Sequence, residues 1–193
     1  MKILSKEEAK EKLNQGFPIL FQTDTLPAIG CLPKFSEIIY KSKQRNRNKA
    51  LILMASDLRQ VLMYVHQIAV KDVIKIANQY WPGPLTLVVP IAENENFDFI
   101  SQDNTLGIRI PCSAHARDLL NAVGPLATSS ANISGSTTSF NADDVSRDLP
   151  NIDILGPVPW GTCSGKASTI ITWIGKGQWK LIREGELMIG DIN

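Results

Sequence analysis

Histidine, cysteine and net charge are all scarce in this chain. His66 and His115 are the only histidines, and Cys31, Cys112 and Cys163 the only cysteines, in 193 residues. The cysteines are odd in number and widely separated, without the paired spacing of a zinc site or a redox dithiol, and they read as small buried hydrophobes. His66 falls near a helix end and His115 in a first helical turn. No nucleophile motif accompanies either, which argues against a Ser-His-Asp arrangement. The acids are scattered, so no protein-bound metal is expected. Neither the Walker spacing nor G-x-G-x-x-G occurs, and phosphate would therefore be held by side chains more than by a glycine cradle. No apolar run suggests a membrane span, and Met1-Lys-Ile-Leu-Ser-Lys-Glu-Glu8 goes straight into charge, unlike a signal peptide. A reducing cytoplasm fits these features.

Twenty Lys and Arg against 19 Asp and Glu give a net charge of +1, which excludes nucleic-acid binding by charge over the whole surface but permits a local groove. A hydrophobic fraction of 44% with 20% charged residues is ordinary for a globular protein. With no internal repeat and no dividing linker, residues 1–193 are expected to form a single domain.

Ser5 and Glu8 form a capping box, Leu4 can staple onto Ala9 and Gly16 supplies a stop, so a helix is predicted over 5–15. Phe17–Phe21 reads as a buried strand ending in the polar cluster Gln22-Thr-Asp-Thr25. Ser36 is positioned to cap a second helix, and Leu51–Met54 reads as a second strand. Two helices follow, the first opened by Ser56 or Asp57 and carrying Leu58, Val61, Leu62 and Val65. The second carries Val70, Val73, Ile74 and Ala77. Trp81-Pro-Gly-Pro84 ends helical structure. Strands are predicted at 85–89, 106–110, 126–129, 152–155, 169–173 and 178–183, and helices at 113–122 and from Asn141 to Leu149, with an exposed excursion over 94–103. The alternation implies an α/β fold: a twisted mixed sheet covered by helices, with antiparallel order near the C-terminus.

Within this near-neutral chain, Lys41, Lys43, Arg45, Arg47 and Lys49 fall at every second position. On an extended backbone that period aims all five to one side, so the run is a candidate anion site. Further polar groups gather at predicted strand ends, at 23–25, 105–109, 128–132 and 168–169. In open α/β sheets such ends converge on a crevice. Cations, hydroxyls and one amide suit a polyanion such as a nucleoside triphosphate, with any Mg²⁺ arriving on the phosphates. Each candidate also has a plainer reading. Arg109 could pair with an internal carboxylate, Ser130 and Asn132 could be turn formers, and Trp81 could be a packed indole rather than a stacking platform.

Taken in order, these segments resemble the YrdC-like (TsaC) family of threonylcarbamoyl-AMP synthases. The likeness runs from about Phe17 to Gly185. It rests on Gln22-Thr-Asp-Thr25, Lys43-Gln-Arg45, Lys49-Ala-Leu-Ile52, Trp81-Pro-Gly-Pro-Leu-Thr86, Gly107-Ile-Arg-Ile-Pro111, Ser130-Ala-Asn132, Ser168-Thr-Ile170 and Arg183-Glu-Gly185. The resemblance implies a YrdC-like open α/β fold and a nucleotidyltransferase. Its reaction joins L-threonine, bicarbonate and ATP into threonylcarbamoyl-AMP and pyrophosphate for the t6A modification of adenosine 37 in tRNA, with the t6A transferase machinery as partner. It further implies that Lys43, Arg45, Lys49 and Arg183 contact ATP phosphates and that Thr105, Ser130, Asn132 and Thr138 are further nucleotide contacts. Of these, Lys43, Arg45, Ser130 and Asn132 would form the catalytic set. Thr25, Arg109, Thr128 and Ser168 would form the threonine pocket. No resident metal is implied.

The chain departs from the family pattern at Gln22, which replaces a proline, and at Pro27-Ala28, which replace tyrosine-glycine. Asn46 and Ala50 replace two prolines around the basic run, which predicts a looser loop there. The alternative reading is a non-catalytic relative that binds tRNA or double-stranded RNA through a basic groove. A third reading, an enzyme of the dihydroxybutanone phosphate synthase type, needs an acidic metal cluster that the sequence lacks.

Overall fold

In the computed structural model, which describes all residues except 94, 96, 98, 99, 136–138 and 189–193, the chain opens with β1 (Ile3–Leu4) and α1 (Lys6–Asn14). The Ser5 hydroxyl accepts from the Glu8 N–H while the Glu8 carboxylate accepts from the Ser5 N–H, the reciprocal cap that the sequence predicts. Next come β2 (Ile19–Phe21), β3 (Ala28–Cys31), α2 (Glu37–Ser42), β4 (Ile52–Met54), α3 (Leu58–Leu62) and α4 (Val70–Tyr80). The second half holds β5 (Leu85–Pro90), β6 (Thr105–Arg109), α5 (Ala114–Val123), β7 (Leu126–Ser130), α6 (Ala142–Asp148), β8 (Asp153–Leu155), β9 (Thr169–Gly175) and β10 (Gln178–Arg183).

Among the described residues the strands form one ten-stranded sheet in the order β1-β8-β2-β3-β7-β4-β6-β5-β9-β10. It is mixed: β4 runs parallel to β6 and β2 to β8, whereas β7 lies antiparallel between β3 and β4, and β10 antiparallel at the edge beside β9. The period of two sorts side chains to opposite faces. Leu20, Ile29, Leu53, Leu87, Ile108, Ala127 and Ile171 pack with Ile39, Val61, Val73, Ile76 and Val145 from α2, α3, α4 and α6. Ile19, Phe21, Ala28, Met54 and Leu126 face the other way, beneath Ala9 and Leu13 of α1 and Ala116, Leu119 and Leu120 of α5. Two helices cover only part of that second face, and the uncovered part carries polar side chains.

The basic run differs from expectation. Lys41 and Ser42 finish α2, Lys43 follows in helical conformation and Gln44 turns the chain at φ +50°. Without an extended backbone the two-residue spacing aligns nothing. Lys43 is buried and Arg45 half-buried, while Lys41, Arg47 and Lys49 remain exposed, with Arg47 paired to Glu37. The loop has a local tether where the family pattern has a proline. Asn46 Oδ1 accepts from Asn48 N at 2.9 Å, an Asx turn that does the ordering a proline would do.

Two strands are absent from the sequence prediction: β1, two residues long and too short to show a period, and β3, which begins directly after Pro27. The helix predicted from Ser36 grows instead out of a 3-10 turn at Pro33–Phe35, with Ser36 already helical. The excursion at 94–103 falls partly outside the described residues. Among the described residues no helix is long and apolar enough to cross a membrane.

Candidate functional site

A cavity of about 290 Å³ opens on the sheet face that α1 and α5 leave bare. Strand register builds its floor. Thr128 lies opposite Ile52 across β7 and β4, and Arg109 opposite Met54 across β6 and β4. Ser130 stands two residues beyond Thr128 on the same face, and Ser168 and Ile170 enter where β9 begins. Thr23, Thr25, Pro27, Arg45 and Arg183 complete the lining. Among the described residues the lining holds three guanidinium groups and no acidic residue.

Arg109 is 4% exposed and held on three sides. Its Nε donates to the Gly83 carbonyl at 3.1 Å, Nη1 to Thr25 Oγ1 at 2.8 Å and Nη2 to Asp24 Oδ2 at 2.9 Å. Asp24 is fixed in turn, its second oxygen accepting from the Cys112 N–H at 3.0 Å. A Cβ at position 83 would stand 2.3 Å from the Tyr80 carbonyl, so only glycine lets the Trp81–Pro84 turn present that carbonyl to Arg109. Burial pulls the Arg109 pKa down, and the Asp24 charge and hydrogen bond push it back up. A guanidinium has five N–H groups, so two remain for a ligand.

Arg45 and Arg183 are held differently. Arg45 donates to the carbonyls of Lys49 and Ala50 at 3.2 and 2.8 Å. Arg183 donates Nε and Nη2 to the Ser168 carbonyl at 3.3 and 2.8 Å, and Nη2 also reaches the Ser168 hydroxyl at 3.3 Å. Among the described residues neither forms an ion pair with a carboxylate. Burial lowers both pKa values, and the charge of Arg45 lowers that of Arg183 further.

Lys43 does not line the cavity. It is 1% exposed, and its Nζ donates to the carbonyls of Ser130 and Asn132 and, at 3.2 Å, to Asn132 Oδ1. The same Oδ1 accepts from the Ser130 hydroxyl at 2.7 Å. Lys43 and Asn132 thus clamp from behind the turn whose Ser130 faces the cavity. Burial and, less strongly, Arg45 lower the Lys43 pKa to about 8.

Of the residues singled out by sequence, Arg45, Ser130, Arg183, Thr25, Arg109, Thr128 and Ser168 all line this one cavity. Lys49 is exposed and lines no part of it, although its carbonyl serves Arg45. Thr105 stands at the opposite end of β6 from Arg109, about 13 Å along the strand at roughly 3.3 Å per residue. Its hydroxyl donates to the Gln102 carbonyl at 2.8 Å. Thr138 lies outside the described residues.

Asp24 is a partner the sequence reading leaves unassigned. Its only local signal is its place between Thr23 and Thr25. Gln22 is another. Its amide donates to the Gly161 carbonyl at 2.5 Å and accepts from the Gly161 N–H at 3.2 Å, while Ser164 N and Gly165 N donate to the carbonyls of Asp24 and Thr25, both at 3.0 Å. A proline at position 22 makes neither side-chain bond. The departure from the family pattern therefore ties the 161–165 loop to the cavity wall.

A bovine protein named threonylcarbamoyl-AMP synthase is 30% identical over 186 residues, covering 92% of this chain and 66% of that protein. One of the same name from Buchnera aphidicola is 34% identical over 142 residues, covering 68% of this chain and 81% of the relative. Among solved structures, P. abyssi Sua5 complexed with L-threonine superposes with a TM-score of 0.87 at 25% identity, covering 100% of this chain and 60% of that one. E. coli YciO shares the fold, with a TM-score of 0.78 at 23% identity over 96% of this chain and 91% of that one. The chain thus spans just under two thirds of the bovine relative and 60% of Sua5. The profile of the Sua5/YciO/YrdC family, described as telomere recombination, matches residues 11–185, and the chain belongs to that family.

Proposed function

We propose that residues 1–193 work as one domain, an L-threonylcarbamoyladenylate synthase that makes threonylcarbamoyl-AMP and pyrophosphate from L-threonine, bicarbonate and ATP. The observation that carries this reading is one cavity lined, among the described residues, by three guanidinium groups and several hydroxyls but no acid. The names of the bovine and Buchnera relatives, and the threonine held by P. abyssi Sua5, support it.

The threonine carboxylate takes the two N–H groups that Arg109 keeps free, a two-point grip that sets the orientation of the amine. Thr25, Thr128 and Ser168 offer hydroxyls around the rest of the amino acid. Arg45 and Arg183, uncompensated by carboxylate, take the triphosphate together with the Ser130 hydroxyl. Lys43 and Asn132 act one step back by fixing Ser130. Among the described residues the lining offers no carboxylate to hold a metal, so any Mg²⁺ would come with the phosphates and share their charge with Arg45 and Arg183.

No protein nucleophile is needed. The threonine amine and bicarbonate condense with loss of water to a carbamate, whose oxygen forms a bond to the α-phosphorus. The bond from that phosphorus to the bridging oxygen breaks, and pyrophosphate leaves with its charge against Arg45 and Arg183. Catalysis is then positioning and charge neutralisation. The adenylate would pass to a tRNA-modifying transferase in the cytoplasm.

Purified protein incubated with ATP, Mg²⁺, bicarbonate and labelled threonine should release pyrophosphate and a labelled adenylate in equal amounts. Pyrophosphate release that ignores threonine, or that follows another amino acid, overturns the substrate assignment.

A further inference from the structure

A second cavity, of about 190 Å³, lies outside the site just described. Leu58, Trp81, Pro82 and Ile110 give it an apolar floor, and Asp57 and Arg117 stand in its wall. Arg117 is only partly buried: its Nε is enclosed without a hydrogen-bond partner, and among the described residues its guanidinium pairs with no carboxylate, so its Nη groups are the donors left for a ligand. Asp57 spends Oδ1 on the N–H groups of Arg59 and Gln60, at 2.8 and 3.2 Å, and on an exposed ion pair with Arg59 Nε at 3.7 Å, whereas Oδ2 has only a long 3.4 Å contact from the Ser56 hydroxyl among the described residues. Although the two charges share one cavity, no ion pair joins them among the described residues. A cation and an anion that do not pair with each other, above an apolar floor, match a small zwitterion with a hydrocarbon side chain.

The geometry points to a binding site for an apolar α-amino acid, with its carboxylate on Arg117, its ammonium on Asp57 and its side chain against Leu58, Trp81 and Ile110. The site also adjoins the clamp on Arg109. Pro82 and Ile110 flank Gly83, whose N–H donates to the Ile110 carbonyl at 2.9 Å and whose own carbonyl holds Arg109 Nε. Occupation is therefore felt at Arg109. This coupling rests on the reading of the main cavity as the threonine site, whereas the second site itself does not.

The test is an NMR titration of the ¹⁵N-labelled full chain with L-leucine. The Trp81 indole N–H, assigned with Trp81→Phe, donates to the Leu85 carbonyl at 2.7 Å and reports on the cavity wall. A saturable shift is expected with leucine, and none at equal concentration with isocaproate or isopentylamine, each of which lacks one charge. Arg117→Met and Asp57→Asn should each weaken leucine binding at least tenfold. Asn also caps helices, so the second variant keeps α3 folded. Saturating leucine should change the threonine dissociation constant at least threefold. No saturable shift, or a shift unaffected by Arg117→Met, overturns the site. An isocaproate shift equal to that of leucine overturns the zwitterion. A shift that leaves threonine affinity unchanged overturns the coupling. If the protein binds no threonine, the reading of the main cavity fails separately, and the Trp81 signal still decides the second site.

Discussion

Arg109 and Arg183 line the same cavity, yet the fold treats their charges in opposite ways. Arg109 is compensated by Asp24 at 2.9 Å and fixed by Thr25 and Gly83, so it meets a ligand as a rigid fork whose charge is already partly neutralised. Arg183 and Arg45 are satisfied by carbonyl oxygens, which hold them in place without cancelling their charge. Arg45 also lowers the Arg183 pKa, so the two repel across the cavity. A compensated, oriented guanidinium suits a single carboxylate, for which direction matters. An uncompensated pair suits a polyanion, for which charge matters and whose arrival relieves the repulsion.

Removing the compensated arginine breaks this comparison hardest. Arg109→Ala should weaken threonine binding by about a hundredfold and ATP binding only a few-fold, as measured by isothermal titration, because a charged bidentate contact is worth about 3 kcal/mol. It should also destabilise the fold by about 3 kcal/mol, since the Asp24 carboxylate is left without its partner. Arg109→Lys separates the two effects: it keeps the charge beside Asp24 but has no fork, so stability should largely return while threonine affinity does not. Equal losses for both ligands would mean that the two ends are not specialised. Next in size is Arg183→Gln, which should cost ATP about tenfold, leave threonine within twofold and not lower the melting temperature, because the lost charge had no acid to abandon.

The sequence discloses these two ends unequally. Arg109 shows itself as a lone charge between Ile108 and Ile110, but its partner lies 85 residues away, and nothing local connects the two. The cap of α1 and the apolar stripes of α4 and α5 are local features and are legible. The strand order is not, because it depends on pairings such as β3 with β7 that join distant halves of the chain. The basic run misleads for a specific reason. Its alternation is real, but the end of α2 and the positive φ of Gln44 fall inside it, so periodicity describes a backbone that is not there.

A smaller effect should come from pH. Below about 8 the Lys43 ammonium has three N–H donors for the carbonyls of Ser130 and Asn132 and for Asn132 Oδ1. Above that pH the neutral amine has two, and one acceptor is left unmatched. The KM for ATP should therefore rise a few-fold as pH passes upward through about 8, with threonine binding at the Asp24-compensated end unchanged. Lys43→Met should abolish the pH dependence while weakening ATP binding at every pH. A limb that survives in Lys43→Met belongs to another group.

The smallest effect separates charge that faces the cavity from charge that merely lies near it in sequence. Lys49 closes the alternating run, but its side chain is exposed and lines no part of the cavity, and what it contributes is its carbonyl, an acceptor for Arg45. Lys49→Ala keeps that carbonyl and should change ATP binding less than twofold at physiological ionic strength, where exposed charges beyond roughly 8 Å are screened. Lys49→Pro also keeps it, but restricts the backbone and removes the N–H that donates to the Asn46 carbonyl at 3.1 Å. If the loop acts by fixing Arg45, the proline variant should weaken ATP binding several-fold while the alanine variant does not. The reverse ranking would make the run a field of charge rather than a mount for one arginine.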